Sequence, residues 1–312
     1  RFAAPWRPAR PWLYGEFCDT DGLRDIEGLL ERHGGRPPWW LEEEARGIRW
    51  DIAPAEQRER LADAGLLERL PRLVAASRFF RRFGLVGLDR AAFWVNGVRY
   101  RPLAEVRPRP SPSPHELVEH IRAALARAAR AVRGHRIRFH AGGLLSRRYS
   151  LGGHIHLSNV RVCTDLLRAL DTYVAIPVLL MENPRSARLR RRRYGLLGEW
   201  RPKRHGGFEY RTPGSWLISP QFALAVLCLA KIVATEYPRL RRPVLDSYAA
   251  QRDFYLAHKT RFRALFPLLW QDIQNTRLYA QYASDLAILP EMVQQQLRWN
   301  ERSDLKARWL GR

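Results

Sequence analysis

The chain has 312 residues, and its 46% hydrophobic content is enough for a substantial core, which argues against a disordered protein. A formal net charge of +23 points to a polyanionic partner, either a nucleic acid or a phosphate-bearing substrate. Lys203, Lys231, Lys259 and Lys306 are the only lysines, so the charge is almost all arginine, and nucleic acid is the less favoured partner because a GC-rich coding sequence produces the same bias.

Three regions are expected. Residues 1–83 read as an irregular N-terminal region. Pro5, Pro8 and Pro11 suggest an extended arm, and a helical pattern runs from Pro54 to about Arg82. Residues 84–237 read as a second, β-rich region with capped helices. Leu85-Val86-Gly87-Leu88 is a short buried strand, residues 92–100 a hairpin turning at Asn96-Gly97, and Leu103 to Arg107 a strand with Glu105 and Arg107 on one face. Ser113 caps a helix with Pro114 at its first position and Glu116 completing a capping box; Gly134 ends it. Arg136 to His140 alternates as a strand, and a glycine-flanked loop runs from Gly142 to Gly152. Thr164 to Met181 reads as one buried helix kinked at Pro177, and Ser219-Pro220 opens a further helix to about Tyr237. Residues 238–312 form a C-terminal helical region packed on the core. The longest apolar run, Phe222 to Ala230, is too short to span a bilayer, so no membrane partner is expected. Cys18, Cys163 and Cys228 are scattered, and no secretory signal pattern is visible although the chain opens at Arg1. A reducing, cytoplasmic setting is expected.

Chemistry concentrates in two alternating stretches. In Gly152-Gly153-His154-Ile155-His156-Leu157-Ser158 the polar residues fall at every second position, so on a strand His154, His156 and Ser158 line one face. In Phe208-Glu209-Tyr210-Arg211 the same alternation puts Glu209 and Arg211 together. Imidazoles, a hydroxyl, a carboxylate and a guanidinium on one sheet face suit a metal and a phosphate. Arg188 and Arg190 to Arg193 precede the second stretch, which places some of these arginines as candidates for pointing into the site.

These residues resemble the phage-type carboxylate–amine ligases (COOH–NH2 ligase type 2), relatives of glutamine synthetase and glutamate–cysteine ligase. The matching elements are Gly87-Leu88-Asp89, Ala104-Glu105-Val106-Arg107-Pro108 before a capped helix, Gly152 to His156, Arg193-Tyr194-Gly195, and Phe208 to Arg211 before Ser215-Trp216-Leu217. The resemblance implies an α+β fold in which a glutamine-synthetase-like antiparallel sheet floors the active site and helices wall it. It implies an ATP-dependent ligase that forms an amide through an acyl phosphate, using Mg²⁺ or Mn²⁺ and small-molecule or peptide carboxylate and amine substrates. It assigns His154, Glu209, Glu105 and Glu16 to the metal, with Asp89 a further candidate. His156, Ser158 and Arg193 are assigned to the nucleotide, and Arg211 and Arg201 to the transferred phosphate. Glu16 is the nearest counterpart of an acid that the family carries in a Gly-x-Asp-Pro-Glu-Phe element; here the chain reads Gly15-Glu16-Phe17.

Alternatives remain open at this level. A His-x-His strand also holds zinc in metal-dependent hydrolases, though only His205 and His258 follow His156. A basic nucleic-acid-binding protein, or a ligase fold without activity, would carry the same charge. The sequence sets no oligomeric state.

Overall fold

The computed structural model describes residues 85–88, 93–95, 98–100, 103–135, 137–146, 149–203 and 207–311. The N-terminal arm, the expected helix from Pro54 to Arg82, Glu16 and Asp89 lie outside the described residues. The described residues group into two compact units. One holds residues 113–118 and 139–311, the other residues 85–112 and 119–138.

In the second of these units β1 (Val86–Leu88) pairs antiparallel with β4 (Ala104–Val106), with Gly87 opposite Glu105. The hairpin of β2 (Phe93–Val95) and β3 (Val98–Tyr100) places Val95 opposite Val98. The turn expected at Asn96-Gly97 lies outside the described residues. The helix Pro114–Ala131 begins as its sequence directs: Ser113 Oγ accepts the Glu116 N–H at 3.4 Å. Val118, Ile121, Leu125 and Ala128 form its buried stripe at helical spacing.

The first unit carries a ribbon of β5 (Leu144–Ser146) and β6 (Tyr149–Ser150). It also carries a three-stranded antiparallel sheet of β7 (Ile155–Leu157), β8 (Trp200–Pro202) and β9 (Phe208–Tyr210). Its order is β7-β9-β8, so the last strand in sequence is central. The helix Pro220–Glu236 is the spine of the core. Ser219 Oγ accepts the Phe222 N–H at 3.2 Å, and Phe222, Val226, Leu229, Ile232 and Val233 are buried. The helices Thr164–Leu170, Tyr279–Leu286 and Ile288–Gln294 pack against it. Continued through the following turn to Arg239, the segment from Pro220 passes by length and composition for a membrane span, but 67% of its apolar window is buried inside the protein, as in a core helix. The architecture is α+β, and its antiparallel sheets, among the described residues, are short and separate rather than one broad floor.

Two elements differ from expectation. Residues 137–140 are not a strand. The Phe139 N–H bonds to Asp304 Oδ1 at 3.1 Å, and Phe139 O accepts the Leu305 N–H at 2.9 Å, so the backbone groups are satisfied by the C-terminal segment rather than by a strand ladder. The expected single helix from Thr164 to Met181 is interrupted by a π-helical turn at Asp171–Ala175, where the Ile176 N–H reaches Asp171 O. Pro177 lacks an N–H and crowds the carbonyl four residues before it, and widening the preceding turn relieves both problems.

Candidate active site

Register builds the site. His156 stands opposite Glu209 across β7 and β9, and Arg201 stands opposite Glu209 across β8 and β9. Directly opposed residues leave the same face, and so do residues two apart on one strand. His154, Arg211 and Lys203 therefore join the row from the flanking positions. Phe208 and Tyr210 point the other way into the core.

The result is one buried carboxylate within reach of five basic side chains. Glu209 is 1% exposed. Its Oε2 accepts from Arg201 Nη2 at 2.8 Å, touches Lys203 Nζ, and lies 3.6 Å from His156 Nε2. Its Oε1 lies 3.0 Å from His154 Nδ1 and 3.3 Å from Arg211 Nε, yet neither donor is aligned to bond it. Burial alone would raise the Glu209 pKa. Close contact with His154, then Lys203 and Arg201, outweighs burial and holds it far below the usual carboxylate range.

Arg211 is the inner guanidinium, and three groups hold it. Its Nε and Nη2 donate to the Tyr194 hydroxyl at 3.2 and 2.7 Å, its Nη1 lies 3.0 Å from Glu199 Oε1, and its carbon sits 4.6 Å from the Tyr194 ring centre. The same hydroxyl contacts His154 Nε2. Both nitrogens of the His154 ring are therefore engaged.

The supports of this face come from the segment between Arg190 and Trp200. Arg190 is fully buried on the helix Pro184–Arg191, and its guanidinium donates to four carbonyls. These are Leu151 O at 2.7 Å, Thr212 O at 2.8 Å, Pro213 O at 2.8 Å and Arg211 O at 3.2 Å. It thereby ties the chain entering β7 to the chain leaving β9. Gly153 is needed at the same crossing, because a Cβ there would lie 2.3 Å from Gly214 O. Glu199 Oε2 accepts from the Gly195 and Leu196 N–H groups, and the buried Asp171 accepts from the Gly198 N–H and the Tyr210 hydroxyl, both at 2.5 Å. Burial pushes the Asp171 carboxyl up to about 8 against those bonds.

The expected site residues separate accordingly. His154, His156, Glu209, Arg201 and Arg211 come together. Ser158 does not join them: β7 ends at Leu157, Ser158 is exposed, and Asn159 turns the chain with a φ of 59°, so strand alternation no longer applies. Glu105 belongs to the other unit and binds Arg107, whose Nε donates to it at 3.0 Å. Arg193 is exposed beyond its helix. The arginine run does not act as one phosphate-binding cluster. Arg190 serves the backbone, and the buried Arg191 pairs with Glu182 at 2.6 Å and stacks on Phe254. A buried guanidinium needs partners from the protein itself, and these two have them.

Sequence alone assigns no role to Tyr194, Glu199, Lys203 or Asp171, although Tyr194 lies in the matching element Arg193-Tyr194-Gly195. Lys203 had a signal, since it falls two residues after Arg201 in an alternating stretch. Asp171, an acid inside an apolar helical pattern, had a weaker one. Tyr194 and Glu199 sit in a loop, where no periodicity points. Among the described residues, no group of three or more His, Cys, Asp or Glu side chains is arranged around a metal position. Glu209 Oε1 and Glu199 Oε1 are nevertheless buried carboxylate oxygens with no hydrogen bond, the donor type that Mg²⁺ and Mn²⁺ take. The surrounding guanidinium, ammonium and imidazole groups suit phosphate oxygens.

The model of the family described as Phage phiEco32-like COOH.NH2 ligase-type 2 matches residues 63–310. No curated protein and no solved structure matches the chain.

Proposed function

We propose a mechanism for a chain that, by its match over residues 63–310, belongs to the Phage phiEco32-like COOH.NH2 ligase-type 2 family and is thus a ligase joining a carboxyl and an amine group. In our reading the ligation is driven by ATP through an acyl phosphate, on a glutamine-synthetase-like sheet face. A carboxylate does not react with an amine at neutral pH without activation. The substrate carboxylate attacks the γ-phosphorus of ATP, the bond from that phosphorus to the bridging oxygen breaks, and ADP leaves. The amine nitrogen then attacks the acyl carbon, the carbon–oxygen bond to phosphate breaks, and the nitrogen gives up a proton.

The observation that carries this reading is the row His156–Glu209–Arg201 with Lys203 and Arg211 beside it. Such transfers depend mainly on positioning and on neutralising phosphoryl charge. Arg201 and His156 are 47% and 50% exposed, within reach of a triphosphate, whereas Arg211 is 10% exposed and fits the transferred group at the inner end. Glu209 and Glu199 would hold Mg²⁺ or Mn²⁺ through their unbonded buried oxygens, and such an ion would supply further neutralisation of phosphate oxygens. The acid and amine would be small molecules or peptides. ATP supply and the free thiols Cys163 and Cys228 fit the cytoplasm.

The test is incubation with ATP, Mg²⁺ and paired panels of acids and amines, followed by mass spectrometry. The expected product has the mass of acid plus amine less water, with one ADP released per bond. Tight zinc binding without nucleotide affinity would instead identify a hydrolase.

A further inference from the structure

We propose that Tyr194 is a positioning residue whose hydroxyl fixes both Arg211 and His154 on the reacting face. The role rests on the ligase reading above for its consequence, but on side-chain geometry for its existence.

A guanidinium has five N–H donors, and a partly exposed one samples many rotamers unless they are satisfied. Here two of the Arg211 donors converge on one phenol oxygen, at 3.2 and 2.7 Å. The same oxygen contacts His154 Nε2 from the other side. The ring takes part as well: the Arg211 carbon lies 4.6 Å and the Arg190 carbon 5.2 Å from its centre, and the His154 ring is tilted against it with centres 5.4 Å apart. Glu199 completes the hold on Arg211 at 3.0 Å and anchors the loop by accepting from the Gly195 and Leu196 N–H groups just after Tyr194.

The two residues so joined come from different strands, with Glu209 between them. His154 Nδ1 and Arg211 Nε approach the same Glu209 oxygen, at 3.0 and 3.3 Å, without an aligned bond to it. Glu209 alone therefore does not fix their orientation. The Tyr194 hydroxyl adds the aligned bonds, accepting two Arg211 donors and contacting His154 Nε2. Removing the hydroxyl leaves the ring packing in place but lets the guanidinium and the imidazole turn. Partners of this kind behind reacting groups are worth roughly 10- to 100-fold in activity.

Tyr194→Phe removes the hydroxyl alone. Its crystal structure is expected to show the Arg211 guanidinium or the His154 ring in a new rotamer, with the sheet unchanged. That observation needs no substrate, so it stands whether or not the ligase reading does. Side chains left in place would overturn the proposal. In kinetics, the expected loss is roughly 10- to 100-fold in kcat with a smaller change in KM for ATP. The double variant with Arg211→Lys is expected to lose less than the product of the two single losses, because part of the Tyr194 effect passes through Arg211. Losses that multiply would also overturn it. Tyr194→Leu, which removes the ring too, is expected to lower the melting temperature where Tyr194→Phe does not. A wild-type protein that forms no ADP with any substrate pair refutes the ligase reading and leaves the rotamer result to decide the role of Tyr194.

Discussion

His156 and Glu209 stand opposite each other on neighbouring antiparallel strands, so the imidazole and the carboxylate leave the same face of the sheet. Arg201 faces Glu209 from the other side, and Glu209 is therefore a shared counter-ion for a row of bases. Like charges so close together tolerate one another only while that carboxylate stays ionised between them.

Glu209→Gln should consequently lose both activity and stability. Arg201, Lys203 and Arg211 would face one another without the anion, at a cost of about 1–3 kcal/mol. Urea unfolding and an ADP-release assay check the two effects separately, and unchanged turnover would remove Glu209 from the mechanism. The wild-type protein should also lose stability in acid through this residue. The folded pKa of Glu209 lies below its ordinary value of 4.5, so its contribution is complete above that pH and declines as pH falls further. The variant should lack this component of the acid profile.

Arg190→Met should cost about 3–5 kcal/mol, because four carbonyls lose their donor in the interior. Arg193→Gln, an exposed change three residues away, should stay within about 0.5 kcal/mol. Equal effects in denaturant would show that Arg190 is not the tie between the strand ends.

Asp171 predicts a slope of the opposite sign. Its folded pKa of about 8 exceeds its ordinary 3.8, so between those values the folded state holds a proton that the unfolded chain lacks. Its contribution is fully present below about pH 4 and is lost as pH rises through 8, at no more than about 1.4 kcal/mol per pH unit. Asp171→Asn should therefore gain stability relative to wild type between pH 5 and pH 8. A difference that stays flat over that range would contradict it.

Arg201→Gln should separate binding from folding. Nearly half of this side chain is exposed, and exposed pairs contribute about 0–1 kcal/mol, so the melt should barely move. Loss of a charge-assisted bond to phosphate should weaken ATP binding roughly 10- to 100-fold, measured by calorimetry with Mg²⁺ present.

The sequence by itself determined the features whose causes are local. Alternation placed His154 with His156 and Glu209 with Arg211, because a strand repeats every two residues whatever surrounds it. Ser113 and Ser219 announced their helices, since a cap bonds a donor three residues away. Tertiary structure alone decided that β9 lies between β7 and β8, and so that Glu209 is flanked by bases on both sides. It turned Arg190 from a phosphate candidate into a backbone tie, ended the site before Ser158, opened a π turn ahead of Pro177, and brought Tyr194 against His154 forty residues away. Those outcomes depend on which distant groups meet in the interior, where each buried charge and backbone carbonyl must find a partner, and local periodicity carries no record of that choice.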